Sequence, residues 1–409
     1  MAATVAVQRG TLSAMRHANF RLYFAGQLAS ASGTWMQNVA QGFLVYQITH
    51  SELWLGIVAC AAGLPLVALS PFAGVIVERV PRRQLMLVTQ TVQMILAFIL
   101  SALVFANVVQ VWHIVVLAFF LGASNALDAP ARQVFTVEMV GRDDLQSGIA
   151  LISILNSCSR VFGPAAAGIT LNLVGPAWCF FINGLSFLAV ILSLFIMKVP
   201  FAISHISDTH PVQQLKDGLN YSRHDMTVAP LLLLTALVGF FGLPLLQFLP
   251  AFASAVLNSP TDGLAALSAA QGVGSVVAGA AVGWLASRFR RGKIVAWMVG
   301  LTAIATYLFS RMTNIPLATV FSALTGLFLV LEVVNFNVLI QTTVPDSFRG
   351  RVLSLYSLAF FGLAPFGSLA LGAVANVIGV QDGIAVFGIV GGVLGVLVMS
   401  RWRSVIEQK

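Results

Sequence analysis

The sequence predicts an all-α membrane protein: twelve transmembrane helices in two pseudo-symmetric six-helix bundles, with both termini cytoplasmic. Three observations carry that prediction. The first is composition. Of 409 residues, 58% are hydrophobic and 9% charged, with a mean hydropathy of +0.92, whereas a soluble domain carries about 25% charged residues. A soluble core cannot hide that much apolar surface, but a bilayer can. The second is a series of twelve apolar runs, each close to the ~20 residues needed to cross ~30 Å of hydrocarbon. The third is an internal repeat relating the first six runs to the last six.

Taken from the N-terminus, the opening MAATVAVQRGTLSAMRHANFRLYF has basic residues but no short apolar stretch followed by a small-residue cleavage site. The first run is therefore expected to stay in the protein as a membrane helix. The runs lie at about 22–47, 53–77, 84–106, 111–135, 147–173, 177–197, 229–256, 264–287, 294–311, 316–343, 352–378 and 383–400. Short breaks with Gly, Pro, Asn or charge separate them. The longest polar stretch, KVPFAISHISDTHPVQQLKDGLNYSRHD (198–225), falls between runs six and seven. It divides the chain into a bundle over 1–198, a cytoplasmic linker over 199–228 and a second bundle over 229–409.

Charge sets the orientation. With both termini inside, the inner segments hold Arg9, Arg16, Arg21, Arg79, Arg82, Arg83, Arg142, Lys198, Lys216, Arg223, Arg288, Arg290, Arg291, Lys293, Arg349, Arg351, Arg401, Arg403 and Lys409, while the outer loops hold only Arg311. Cytoplasmic loops are the ones that accumulate Lys and Arg. The same spread argues against a nucleic-acid partner, because the net charge of +8 is not gathered on one folded face. Cys60, Cys158 and Cys179 lie within or beside apolar runs and form no CxxC pair, so they read as small packing residues. The chain lacks a HExxH, a GxSxG and a Walker A turn, and its histidines form no metal-spaced cluster. No cofactor, metal site or enzymatic centre is expected. A polytopic membrane enzyme and a channel are remote alternatives.

The repeat is visible in two blocks. GVIVERVPRR (74–83) is echoed by GWLASRFRRGK (283–293). Gly74 and Gly283 are each followed by three residues, a polar residue (Glu78, Ser287), an arginine (Arg79, Arg288) and a second arginine three positions on (Arg82, Arg291). Arg83 extends the first copy. LGASNALDAPARQVFTVEMVG (121–141) aligns without gaps to TGLFLVLEVVNFNVLIQTTVP (325–345), pairing Gly122 with Gly326 and Asp128 with Glu332. Parallel repeats of this kind occur in secondary transporters.

Two six-helix halves with a G-x-x-x-acid-R-x-x-R-R turn after the second helix resemble the major facilitator superfamily. Glu78 stands where that family usually has aspartate, and the second copy has Ser287 in place of the acid. NSCSRVFGPAAAG (156–168) resembles the Gly-Pro signature of the fifth helix in exporters of this superfamily. NFRLYFAGQLASASGTWMQ (19–37) and DAPARQVF (128–135) are similar to the subgroup of enterobactin and macrolide exporters, the third class of drug:proton antiporters. The resemblance implies alternating access, a small-molecule substrate, proton coupling, a monomer and a bacterial inner membrane. An importer of the same fold, or a carrier or lipid transporter without proton coupling, is the alternative.

The candidate site residues follow. Arginines in the charged turns anchor the loops at the inner face. The resemblance also implies a latch between the halves in the outward-open state, made by Gly74, Glu78, Arg79, Arg82 and Arg83 with their counterparts Gly283, Arg288 and Arg291. On the first run, Gln27, Ser30, Thr34, Asn38 and Gln41 form one helical stripe. It either lines a watery cavity or hydrogen-bonds neighbouring helices. The seventh run offers Gln247 among Phe240 and Phe241, a wall suited to an amphipathic substrate. An ionised group at mid-membrane costs at least about 2.5–3.5 kcal/mol, so each is functional or paired. Asp128, in the inner third of the fourth run, and Glu332, at matching depth in the tenth, are either locks against the arginines of the charged turns or proton sites. Arg132 stands one turn from Asp128 as a possible ion-pair partner. Arg160, ~20 Å deep in the fifth run, either binds an anionic substrate group or braces Asn156 and a neighbouring helix.

Overall fold

The computed structural model describes residues 12–141, 143–197 and 211–406, without the side chains of 71, 74, 75, 78, 211–217, 346, 347 and 403–406. Gly74, Glu78, Lys216 and Arg403 therefore have a backbone position only, and Arg9, Arg142, Lys198 and Lys409 lie outside what is described. Among the described residues the regular structure is entirely helical. The helices are α1 (Ala18–Thr49), α2 (Glu52–Arg79), α3 (Arg82–Phe105), α4 (Val111–Val140), α5 (Leu145–Leu173), α6 (Pro176–Ile196), α7 (Pro211–His224), α8 (Val228–Leu237), α9 (Leu245–Ala255), α10 (Asp262–Arg288), α11 (Arg291–Arg311), α12 (Ile315–Thr343), α13 (Asp346–Ile378) and α14 (Val380–Ile406). A bilayer leaves the backbone no water to bond, so a chain this apolar satisfies its amides within helices.

Eleven helices among the described residues are long and apolar enough to cross a membrane, with Val228–Ala255 counted as one. The helix outside that set is α1. It is 32 residues long, but the stripe of Gln, Ser, Thr and Asn lowers its hydropathy. The seventh run also departs from a simple helix. Residues Val238–Gly242 form a π-helical turn between α8 and α9, closed by a bond from the Leu243 amide to the Val238 carbonyl at 3.1 Å. Pro244 explains the break, since it has no amide hydrogen with which to continue the regular ladder. A further difference lies in the linker, where α7 forms within a stretch read from the sequence as merely polar.

The internal repeat has a structural counterpart. A Cβ on Gly122 of α4 would overlap the carbonyl oxygen of Ala62 on α2, and one on Gly326 of α12 would overlap that of Gln271 on α10. Ala62 and Gln271 stand at the same spacing as Arg79 and Arg288, so both repeat registers meet in one pair of crossings. Small residues let membrane helices approach this closely.

The two halves join mainly through α2 against α13 and α5 against α10. Where they meet depends on depth. Near the α1–α2 connection, one apolar cluster draws on both halves, including Leu44, Leu55 and Phe180 from the first and Phe252, Leu267 and Leu371 from the second. Two polar contacts cross between the halves at this same end, Ser51 Oγ to Asn376 Oδ1 at 2.8 Å and Asn172 to Asp262. Near the charged turns the apolar clusters belong to one half each. Phe20, Met86, Phe135 and Leu194 form the first, and Leu231, Phe336, Val352 and Met399 form the second. Among the described residues, the apolar and polar contacts shared by both halves thus gather at the end read as outer, whereas the clusters at the end read as inner are each drawn from one half.

Candidate functional site

The cleft between the halves can be located from helix faces. On α5, Ser153, Asn156 and Arg160 are exposed along one stripe, while Ile154, Phe162 and Ile169 are exposed on the opposite stripe. At ~100° per residue these are two separate faces, one apolar enough for lipid and one polar. The polar face lies where α5 meets α10. The Arg160 carbonyl abuts Gly272 of α10, and the Arg160 guanidinium sits 5.3 Å from the ring centroid of Trp35 on α1.

The α1 stripe is divided. Thr34 and Gln41 are partly exposed and Asn38 is exposed, but Gln27 and Ser30 are 4% and 2% exposed. The inner part of α1 is enclosed by α4, α5 and α6, so these two residues do not line the open cleft. Helix-to-helix bonding also uses polar groups just off the stripe. Asn183 of α6 donates to Gln37 at 2.7 Å, and Ser32 donates to Ser159 of α5 at 3.3 Å. On the second half, Phe240 and Phe241 cluster with Phe387 at centroid distances of 6.1 and 5.2 Å, with Gln247 exposed two turns on.

Asp128 and Glu332 occupy equivalent places on α4 and α12, and both are buried. Their surroundings differ. Asp128 accepts hydrogen bonds from Thr89 at 2.7 Å and Gln90 at 3.0 Å, both on α3. Its other oxygen pairs with Arg132 Nε at 2.8 Å, so Pro130 does not prevent the one-turn pair. Glu332 accepts from Thr302 of α11 at 2.9 Å and has no ion-pair partner among the described residues. It borders a cavity of ≈ 50 Å³, lined also by Thr302, Thr306, Phe241 and glycines of α14. That volume holds a water or more.

Of the two readings of these acids, a lock onto the turn arginines has no counterpart among the described ion pairs, where those arginines make other contacts. Arg82 is buried and pairs with Glu138 of α4 at 3.2 Å. Arg291 donates to Asn335 of α12 at 3.2 Å. Arg83 caps α6, with Nε donating to the Leu194 carbonyl at 2.6 Å and the terminal nitrogen to that of Phe195 at 3.0 Å, as cations do at a helix C-terminus. Arg288 lies 5.3 Å over Trp284, and Arg79 is exposed. Each of these contacts stays within its own half. A Cβ on Gly283 would meet nothing within 4 Å, so this surface is uncovered here.

Sequence reasoning missed several partners. The pair Arg82–Glu138 links residues far apart in the chain. Thr302 lies on a helix where nothing marks it from other threonines. His17 meets Asp144 at 2.8 Å, tying the segment before α1 to the start of α5. No spacing rule joins these residues, because the helix register that brings them together is set by packing.

The family of transmembrane secretion effectors in the major facilitator superfamily matches residues 9–407. The chain belongs to that family. It is therefore a transporter with a small-molecule substrate, embedded in the membrane as a multi-pass protein of the bacterial inner membrane. Among curated relatives, it is 23% identical to the staphyloferrin A transporter of Staphylococcus aureus over 90% of this chain and 92% of that protein. It is 20% identical to macrolide efflux protein A of Streptococcus pyogenes, again over 90% and 92%. Among solved structures, the nucleoside transporter NupG superposes with a TM-score of 0.75 at 10% identity, covering 94% of this chain and 99% of that one. At that identity the likeness shows the fold alone.

Proposed function

We propose that this protein exports an amphipathic small molecule, siderophore-like or drug-like, by alternating access coupled to proton antiport. The observation that carries the reading is the unequal closure of the two ends. A shared apolar core and two polar contacts seal one end, while the charged turns at the other keep their contacts within separate halves. Two rigid bundles arranged this way need only rock to reverse access. The basic residues orient the open end toward the cytoplasm, with both termini there, α1 as the twelfth crossing and the bundles divided at 198 and 229. The protein acts as a monomer.

Export, rather than import, is favoured by the Gly-Pro stretch of α5 and by relatives whose names describe efflux. Of the two buried acids, Glu332 is the proton carrier. Asp128 has an arginine one turn away to hold its charge, whereas Glu332 has a hydroxyl and a small cavity. When the inner end closes, the turns exchange their present contacts for ones across the halves.

Energised inverted membrane vesicles with an acid-sensitive dye test this reading. Catecholate siderophores, macrolides and lipophilic cations are added in turn. At least one is expected to release protons from vesicles containing the protein and not from control vesicles. Accumulation of labelled compound with no proton release rejects antiport and leaves a facilitated carrier.

A further inference from the structure

We propose that Arg160 and Trp35 form an anion subsite in the cleft, and that it selects amphipathic substrates carrying a carboxylate or similar oxyanion. The proposal rests on the exporter reading above and names the class of molecule exported.

Arg160 is exposed, yet it lies in the middle of a membrane-crossing helix. It does not face lipid, because the lipid-suited face of α5 is the opposite one, with Ile154, Phe162 and Ile169. Its carbonyl abuts Gly272 of the other half, so the residue stands at the seam where the halves part. A cation there must be solvated or paired, since an isolated charge in hydrocarbon is costly. No carboxylate among the described residues pairs with it. Asp128 is taken by Arg132, and Glu332 lies in the other half with Thr302.

The neighbouring groups define what the site can hold. The indole of Trp35, 5.3 Å from the guanidinium carbon, steadies the cation through its ring without consuming its N–H donors. A guanidinium so held presents its fork of donors to a planar oxyanion, the geometry in which arginine outperforms lysine. Asn156, one turn toward the inner end on the same exposed stripe, adds a neutral donor and acceptor. Trp35 is itself partly exposed and supplies apolar surface for the body of the molecule. The chemistry recognised is therefore an oxyanion joined to an aromatic or aliphatic group.

The test uses full-length protein in phosphatidylcholine nanodiscs, where no anionic lipid competes. Fluorescence polarisation compares N-dansylglycine and N-dansylphenylalanine with their neutral amides. The acids are expected to bind about tenfold or more tightly than the amides, the ~1.4 kcal/mol that one charge-assisted hydrogen bond readily supplies. Arg160→Gln is expected to remove that preference by weakening the acids while amide affinity stays within about threefold. Arg160→Lys, which keeps the charge and loses the fork, is expected to retain part of it. Thermal melting confirms that both variants are folded. Equal binding of acids and amides by the native protein overturns the subsite, as does a preference that survives Arg160→Gln or no binding of either acid. In each of these cases the exporter reading stands if labelled compounds still leave through the protein in energised vesicles. If nothing in the vesicle panel moves while the acid preference holds and depends on Arg160, the exporter reading falls and the anion subsite stands.

Discussion

Replacing Glu332 with glutamine tests the proposed proton carriage with little disturbance of the structure around it. The amide has the size of the acid, and its oxygen can still accept the Thr302 hydroxyl that now sits 2.9 Å from the carboxylate. Its new N–H groups face a cavity of ≈ 50 Å³, where a water can receive them. The folding cost is therefore about 1 kcal/mol or less, one altered hydrogen bond. Asp128→Asn is the instructive contrast. It leaves the Thr89 and Gln90 bonds available but removes the charge opposite Arg132. Breaking a buried pair costs ~3–5 kcal/mol, and with the Arg132 side chain 32% exposed the cost falls toward the lower end. Thermal melting should accordingly rank Asp128→Asn well below Glu332→Gln. Substrate-driven proton release in inverted vesicles should show the opposite order: near-complete loss in Glu332→Gln, at least about tenfold, and retention in whatever Asp128→Asn protein is folded. Undiminished proton release from folded Glu332→Gln would refute the assignment, because the amide cannot bind and release a proton.

Other consequences follow from particular contacts. Gly326→Val should destabilise the fold by about 1–3 kcal/mol, the usual cost of forcing extra atoms into a filled site, because its Cβ meets the Gln271 backbone; a fall in melting temperature checks this. Gly283→Val should leave melting unchanged, since nothing lies within 4 Å, and yet slow transport if that surface is covered when the inner end closes. Arg79→Gln should likewise preserve the fold and reduce uptake into inverted vesicles, whereas Arg82→Gln should also lower stability by about 1–3 kcal/mol through its pair with Glu138. Ser51→Cys with Asn376→Cys, joined by a short reversible thiol cross-linker in a background lacking Cys60, Cys158 and Cys179, should hold the outer end shut. Transport should fall and return on reduction; a cross-linked protein that still transports would mean this end does not open.

What the sequence made legible, and what it did not, divides along a physical line. Membrane-spanning segments announce themselves one at a time, because each must match the hydrocarbon thickness regardless of its neighbours. Gly122 and Gly326 were legible as a repeated pair, and they prove to be the crossings of α4 with α2 and α12 with α10. Positions that depend on a neighbour were not legible. The α1 stripe has the right period for a cavity wall, but period reports only which residues share a face and not what covers it. Burial of Gln27 and Ser30 follows from α4, α5 and α6 closing around the inner part of α1. The linker helix α7 had a signal, with Val212, Leu215 and Leu219 at helical spacing, masked by the polarity of the stretch around it. Its Tyr221 stacks on Phe348 of α13 at 4.6 Å, a contact no local pattern encodes. The acids show the same limit most sharply. Asp128 and Glu332 are equivalent in the repeat and equally buried, so sequence symmetry assigns them one role. One asymmetry between them is written in the sequence: Arg132 follows Asp128 by one turn, whereas the counterpart of Arg132 in the second half is Phe336, a buried ring of the apolar cluster. The repeat puts two acids at one depth, and the arginine present after only the first gives Asp128 an ion pair that Glu332 does not have among the described residues, which is why the proposed proton site is assigned to Glu332.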